Sequence, residues 1–374
     1  VTVRPNPSRT GGILIGAALA ASLAVRLALA WSAPSGTDLE SYRIVAGLVR
    51  DRAPLYEATT RYNYPPVWAW TLTALEGAAR ATGLPFPGLV RTFLNGVDVL
   101  SAALLYRLTL AAGPRRAAAT AALFLANPVG IWVTSVQGQF DGTSLAFLLA
   151  AILATAGARR GGAAAEVALL PAALLSASVA IKQITALHPV LWWRRKGFWL
   201  GLLPYGVVLA LWLPFAGQWR SILSNVLLYR SVPQSYGFSE FVLFDARFGP
   251  PIATLAVLAG IAAAWALRRA ERARASLFVF LVLLFFAPGI GPQYLVWPIT
   301  LGALFPSAGY LACTLAGSAW IVGSSLALPG SGQFLGHVVW LSIAFWGVRE
   351  WRELKRSRNP ERAAVPAGAP APTT

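Results

Sequence analysis

Cysteine occurs once in these 374 residues, histidine twice and methionine not at all. The lone thiol, Cys313, excludes an intrachain disulfide, a thiolate metal cluster and a zinc ribbon. Two imidazoles, His188 and His337, are too few for a histidine metal site, so no metal and no cofactor is expected. Gly-rich phosphate loops, Ser-His-Asp sets and HExxH motifs are missing as well. Charge is scarce: 12% of the residues are charged and 56% are hydrophobic. Soluble domains are typically about 25% charged. With a mean hydropathy of +0.59, too few polar groups remain to cover a water-facing surface. This excludes a soluble globular enzyme, a disordered protein and a nucleic-acid-binding domain. What is left is an all-α, polytopic membrane protein.

The charge that is present is lopsided, with 31 basic against 14 acidic residues and a net charge of +17. Such a balance also suits nucleic acid. Here, however, the basic residues are mostly arginines in short clusters between apolar runs, which is the positive-inside pattern of membrane proteins. Lipid bilayer, not nucleic acid, is therefore the expected partner.

A spanning helix takes about 20 apolar residues. The first run, 11–31, follows Arg4 and Arg9, which place the N-terminus in the cytoplasm. Val1 reads as a non-standard start or a trimmed end, and the run reads as a span, not a signal peptide. A large outer loop follows at 32–88. Within it, 66–82 opens on Pro65–Pro66 and either spans or lies on the outer surface. The second reading is preferred, because it lets 89–111 cross inward to Arg115–Arg116. Further runs at 117–134, 139–158, 164–181, 184–193, 197–215, 250–267, 275–288, 293–305, 308–327 and 334–349 then alternate, around a second large outer loop at 217–248. That predicts about 11–13 spans with both termini cytoplasmic. The short runs read as broken helices lining a polar cavity. Residues 1–350 form a single transmembrane domain, and 351–374 form a disordered cytoplasmic tail, basic and then Pro/Ala-rich.

Polar groups in such a chain are functional candidates, because membrane burial is costly for them. Most fall at the predicted outer ends of spans. Asp38 and Glu40 follow the first span; a carboxylate in a cleft there serves as a general base, or as a cap for the next helix. Gln137, Gln139 and Asp141 lie in the turn Val136–Gln137–Gly138–Gln139–Phe140–Asp141–Gly142. Carboxamides and a carboxylate hydrogen-bond sugar hydroxyls, while Asp141 also suits a helix N-cap. Lys182, one of three lysines, ends an apolar run on the outer side with Gln183 beside it. It either meets an anion such as phosphate or snorkels to headgroups. Arg26 and Asp98, inside two apolar runs, are expected to pair. The loop 217–248, with Arg220 and Arg230 among aromatics, reads as an interfacial segment able to hold a lipid headgroup. Near Pro288–Pro298, glycines and prolines break a helix and expose Gln293 and Tyr294, with Trp297 in the interfacial aromatic belt.

In order along the chain, these motifs are Asp38-x-Glu40, Asn63–Tyr64–Pro65–Pro66, Gln139–Phe140–Asp141–Gly142, Lys182–Gln183 and Pro292–Gln293–Tyr294–Leu295–Val296–Trp297. Together they resemble the GT-C superfamily of multi-span glycosyltransferases that use lipid-phosphate-linked sugars. The likeness is to the dolichyl-phosphate-glucose glucosyltransferases of N-glycan assembly and to bacterial polyprenyl-phosphate mannosyltransferases. It covers roughly residues 12–300. Two departures stand out: Asn63 replaces the Asp of D-Y-P-P, and Gly291–Pro292–Gln293–Tyr294 replaces a late His-Glu-Lys segment. The resemblance implies hexose transfer, with inversion, from a polyprenyl-phosphate donor to a lipid-linked or cell-envelope glycan acceptor on the non-cytoplasmic face. It makes Asp38 the catalytic base. Lys182, Gln183 and Arg230 would hold the donor phosphate, and Glu40, Tyr64, Gln137, Gln139, Asp141, Gln293 and Tyr294 the sugars. The competing classes are a lipid-linked sugar flippase or small-molecule transporter, which usually shows repeats and a midplane site, and a non-catalytic assembly subunit.

Overall fold

The computed structural model describes residues 7–160, 169–193, 198–228, 237–238, 249–328 and 330–358. Among these residues all regular structure is helical. The chain begins with the apolar helix α1 (Pro7–Ser32). Two shorter helices follow, α2 (Thr37–Arg50) and α3 (Pro66–Thr82). Pro66 starts α3, where a missing N–H costs nothing, and Gly83 ends it in the left-handed conformation at φ 72°. α3 packs on α2 through Trp68 and Leu72, both buried. It is not among the helices long and apolar enough to cross a membrane.

α4 (Phe86–Thr109) and α5 (Pro114–Leu125) form an antiparallel pair. α5 is bent by 51° against α6 (Pro128–Gln137). The expected run 117–134 is thus a broken helix, and the break has a local cause. The Asn127 side chain accepts from the backbone N–H groups of Val129 (3.0 Å) and Gly130 (3.4 Å), and Pro128 follows as the first helical residue. Capping Val129 removes the normal partner of the Leu125 carbonyl. Two side chains of α1 take its place: Ser22 Oγ donates at 2.6 Å and Arg26 Nε at 2.9 Å. Arg26 also reaches Asp98 of α4 at 2.7 Å, and both are buried. The pair expected from the sequence therefore pins α1 to the hinge.

α7 (Asp141–Arg160) and α8 (Leu169–Ile181) pack side by side. The run 184–193, expected to span, instead forms two short 3-10 turns, Gln183–Thr185 and His188–Trp192. Lys182 is extended (φ −152°, ψ 131°) and stops α8. The loose helix end is met by a hydroxyl of α7: Ser144 Oγ donates to the Ser178 carbonyl (2.8 Å), and Ser178 Oγ in turn donates to the Ser144 carbonyl (2.7 Å).

α9 (Phe198–Trp212) runs on through 3-10 and π turns, so that a helix continues from Gly201 to Leu227. The predicted outer loop at 217–248 therefore starts about ten residues too early; most of its remainder, 229–236 and 239–248, is outside the described residues. α10 (Gly249–Leu267), α11 (Arg272–Phe286), the seven-residue α12 (Val296–Gly302), α13 (Ala308–Ser325) and α14 (Ser331–Arg358) complete the bundle. α14 carries eight residues into the predicted tail, 351–374. There Leu354 is buried and Glu353 pairs with Arg356, so these residues are helical and not disordered. Residues 359–374 lie outside the described residues.

Among the described residues, three helices suit a membrane crossing by length and composition, or four if α5 and α6 count as one span; shorter apolar helices lie at 141–157, 169–181 and 254–267. Leu14, Leu209, Leu213 and Leu315 are exposed on their outer faces. Such greasy exteriors fit lipid better than water. Two cores hold the bundle. One, around Leu148, Phe280, Trp346 and the fully buried Cys313, joins α7 to α11–α14. The other, around Tyr42, Trp68 and Phe140, joins α2–α4 to the start of α7.

Candidate functional site

The two cores meet where α6 turns into α7. Gly138 makes the turn possible, with φ 72°, and a side chain on it would press on Leu39 of α2 at 3.0 Å. Leu39 and Gly138 in contact bring their sequence neighbours together. Gln139 Nε2 donates to Asp38 Oδ2 at 2.6 Å, across 101 residues of sequence. Gln139 is buried, while Asp38 keeps one side open to solvent. α2 is capped by Gly36 without a side-chain bond, so Asp38 is not spent as a cap.

Asp141, at the start of α7, is fully buried. Its two oxygens have different partners: Lys182 Nζ on Oδ2 at 2.6 Å, and the Trp297 indole N–H on Oδ1 at 2.6 Å. Lys182 is buried too, and its ammonium lies 4.5 Å from the Phe140 ring centre and 4.9 Å from that of Tyr64. Both rings offer their electron-rich faces to the cation. Trp68 stacks on Phe140 at 4.3 Å, and Tyr64 meets it edge-on at 4.8 Å. The Asn63–Pro66 segment that supplies Tyr64 is tied down locally. Gln183 Nε2 donates to the Asn63 carbonyl (2.7 Å), Tyr56 OH to the Tyr64 carbonyl (3.0 Å), and Tyr62 OH to the Pro65 carbonyl (2.5 Å).

Burial raises the Asp38 carboxyl above the usual aspartate range; the Lys182 cation opposes the rise, the Asp141 charge adds to it, and the Gln139 hydrogen bond works against it. Two carboxylates thus share one ammonium, and only one of them is in direct contact with it.

The structure gathers Asp38, Tyr64, Gln139, Asp141, Lys182 and Gln183 into one place. The lone ammonium inferred at Lys182 is not alone, since Asp141 is its anion. Glu40, on α2, is exposed. Gln137 leaves a buried Oε1 without a hydrogen-bond partner. Tyr294 touches Trp297, with ring centres 4.9 Å apart, and so stands one side chain removed from Asp141. Gln293 folds back over Gly291. Arg230 lies outside the described residues. Among the described residues, no group of three or more His, Cys, Asp or Glu side chains is placed to hold a metal ion.

Sequence reasoning missed Phe140 and Trp68 and read Trp297 only as part of an interfacial belt. The indole N–H was the usable signal, because a buried one requires an acceptor. Arg91 was missed as well. It is 1% exposed and donates to the carbonyls of Ala33 (2.7 Å), Pro34 (2.6 Å) and Val136 (2.6 Å). These are the chain segments that lead into Asp38 and Gln139.

Beside the cluster lies an apolar groove of about 430 Å³, lined by Val67, Phe147, Ala180, Ile181, Val207 and Leu211. Ile181 directly precedes Lys182. In comparisons with known proteins, no family model, no curated protein and no solved structure matches this chain.

Proposed function

We propose that the chain is a GT-C-like membrane transferase that moves a hexose from a polyprenyl-phosphate carrier to a lipid-linked or cell-envelope glycan hydroxyl. The observation that carries this reading is the joining of Gln139–Asp38 and Asp141–Lys182 in one cluster walled by Phe140 and Tyr64. Asp38 is the group with an open side, and burial makes its carboxylate more basic than a free aspartate, which favours proton abstraction. In the reaction, Asp38 takes the proton of the acceptor hydroxyl. That oxygen forms a bond to the anomeric carbon from the face opposite the phosphate. The carbon–phosphate-oxygen bond breaks, and the lipid phosphate leaves with the electron pair.

Gln139 holds the Asp38 carboxylate in place, and the buried Lys182 supplies positive potential that the Asp141 carboxylate fixes in position. Tyr64, which is only half-buried, offers a ring against which a sugar packs, while the fully buried Phe140 backs Lys182. The apolar groove ending at Ile181 is open to an isoprenoid tail. In this reading the shorter apolar helices at 141–157, 169–181 and 254–267 also cross the bilayer, and the site lies on the outer face.

The test is incubation of purified protein with synthetic polyprenyl-phosphate-mannose and -glucose, with products read by mass spectrometry. Transfer is expected with one of them, falling about 10²–10⁴-fold in Asp38→Asn. Full activity in that variant removes Asp38 as the base. Transport of a lipid-linked sugar without transfer, in proteoliposomes, replaces the transferase with a flippase.

A further inference from the structure

The side-chain amide of Gln183 is held in one orientation. Its Nε2 donates to the Asn63 carbonyl at 2.7 Å, and a carbonyl can only accept. Turning the amide over would set two oxygens against each other, so the nitrogen faces Asn63 and Oε1 faces elsewhere. That oxygen is buried and has no hydrogen-bond partner among the described residues. Buried acceptors are nearly always satisfied, and a bare one is costly.

The surroundings say what the oxygen is for. Asn63 is joined to Tyr64, whose ring centre lies 4.9 Å from Lys182 Nζ, and Gln183 is joined to Lys182. The amide therefore stands where the Asn63–Pro66 segment meets the end of α8, beside the cluster. Ile181, on the other side of Lys182, lines the apolar groove. Groove, ammonium and amide thus follow one another as Ile181, Lys182 and Gln183. A lipid-linked sugar has the same order: hydrocarbon, phosphate, pyranose.

The lone pairs of Oε1 need a hydrogen-bond donor. A phosphodiester at neutral pH carries only acceptor oxygens and repels this one. A pyranose hydroxyl donates to it. The chemistry therefore runs against the role that the resemblance implies for Gln183, a hold on the donor phosphate.

We propose that Gln183 reads the hexose of the carrier, with Oε1 accepting a hydrogen bond from one ring hydroxyl while Nε2 stays on Asn63. This rests on the lipid-linked hexose of the proposed function, but not on its transfer. Gln183 then sets specificity. A site built around a hydroxyl discriminates against the analogue that lacks it, because the protein's own acceptor is left buried and bare.

The experiment measures binding instead of turnover. Native mass spectrometry of the full chain compares polyprenyl-phosphate-mannose and -glucose with polyprenyl methyl phosphate, which keeps the phosphodiester and lacks the sugar. The wild type is expected to retain one hexosyl carrier about tenfold better than the methyl ester, or more. Gln183→Met keeps the side-chain length and removes both amide groups. The Tyr56 and Tyr62 hydroxyls still hold the Asn63–Pro66 segment, so this variant folds. It is expected to erase the margin for hexose and to bind the methyl ester as the wild type does. A second measurement needs no variant: among the monodeoxy forms of the preferred hexose, one is expected to bind the wild type about tenfold more weakly. Gln183→Met no longer distinguishes that form from the parent sugar. The proposal is overturned by a wild type without a hexose margin, by monodeoxy sugars that all bind alike, or by a margin that survives in Gln183→Met. Equal loss of both carriers in that variant overturns it too, and makes Gln183 a structural or phosphate contact. Hexose-dependent binding without transfer removes the transferase and keeps Gln183 in this role; transfer without hexose-dependent binding does the reverse.

Discussion

Among the described residues no carboxylate touches Arg91; its guanidinium is held by carbonyl oxygens from two distant segments. A carbonyl carries only a partial charge, so three short bonds do the work of one ion pair. Lysine has a single nitrogen at its tip and cannot span the same acceptors. Arg91→Lys is expected to lower stability by about 3 kcal/mol, read as a lowered melting temperature in detergent. It is also expected to lower transfer more than Lys182-remote surface changes do, because the segments leading to Asp38 and Gln139 are released together. Asp38 makes a different prediction. Its raised carboxyl means the folded chain holds that proton to higher pH than the unfolded chain does. The folded state therefore binds more protons in that window, and stability falls as pH rises through it. Asp38→Asn is thus expected to melt no lower than wild type at pH 7, while the acid limb of the rate profile in wild type lies above the ordinary aspartate range. A lower melting temperature in that variant contradicts the sign.

The elements show what hydropathy reads and what it passes over. Pro65–Pro66 and Gly83 mark α3 in the sequence, and its boundaries follow them. The break between α5 and α6 went unseen because apolar residues continue through it, although Asn127–Pro128 is a helix-start signal in its own right. Similarly, 184–193 is apolar enough to pass for a span, yet the extended backbone at Lys182 and the hydroxyls of Ser144 and Ser178 behind it dictate turns. The polar members of the site, Asp38, Gln139, Asp141 and Lys182, were legible because polar groups are rare in such a chain. Phe140, Trp68 and Trp297 were not, since aromatic residues are common in it and only the fold picks out these three. Asn127 also donates to Tyr310 OH and Thr314 Oγ1, both at 3.1 Å, and so ties the hinge to α13. Asn127→Ala is expected to cost about 1–2 kcal/mol from the lost cap alone, more with the cross-links, and to show as a lower unfolding midpoint in urea.

At the scale of the whole molecule, two polar regions sit at opposite ends of a bundle with a greasy exterior. One holds Asp38, Asp141 and Lys182; the other holds Glu271, Glu350 and Glu353 together with most of the described arginines that are not buried. If the arginine-rich end faces the cytoplasm, a thiol introduced at Thr60 reacts from outside intact cells, and one introduced at Arg115 reacts only after permeabilisation. The reverse labelling pattern turns the molecule over and puts the transferase cluster on the inner face. The experiment is clean because of the fully buried Cys313. A maleimide finds no native target in the folded chain, so no background substitution is needed and each engineered sulfhydryl is its own sole reporter of sidedness.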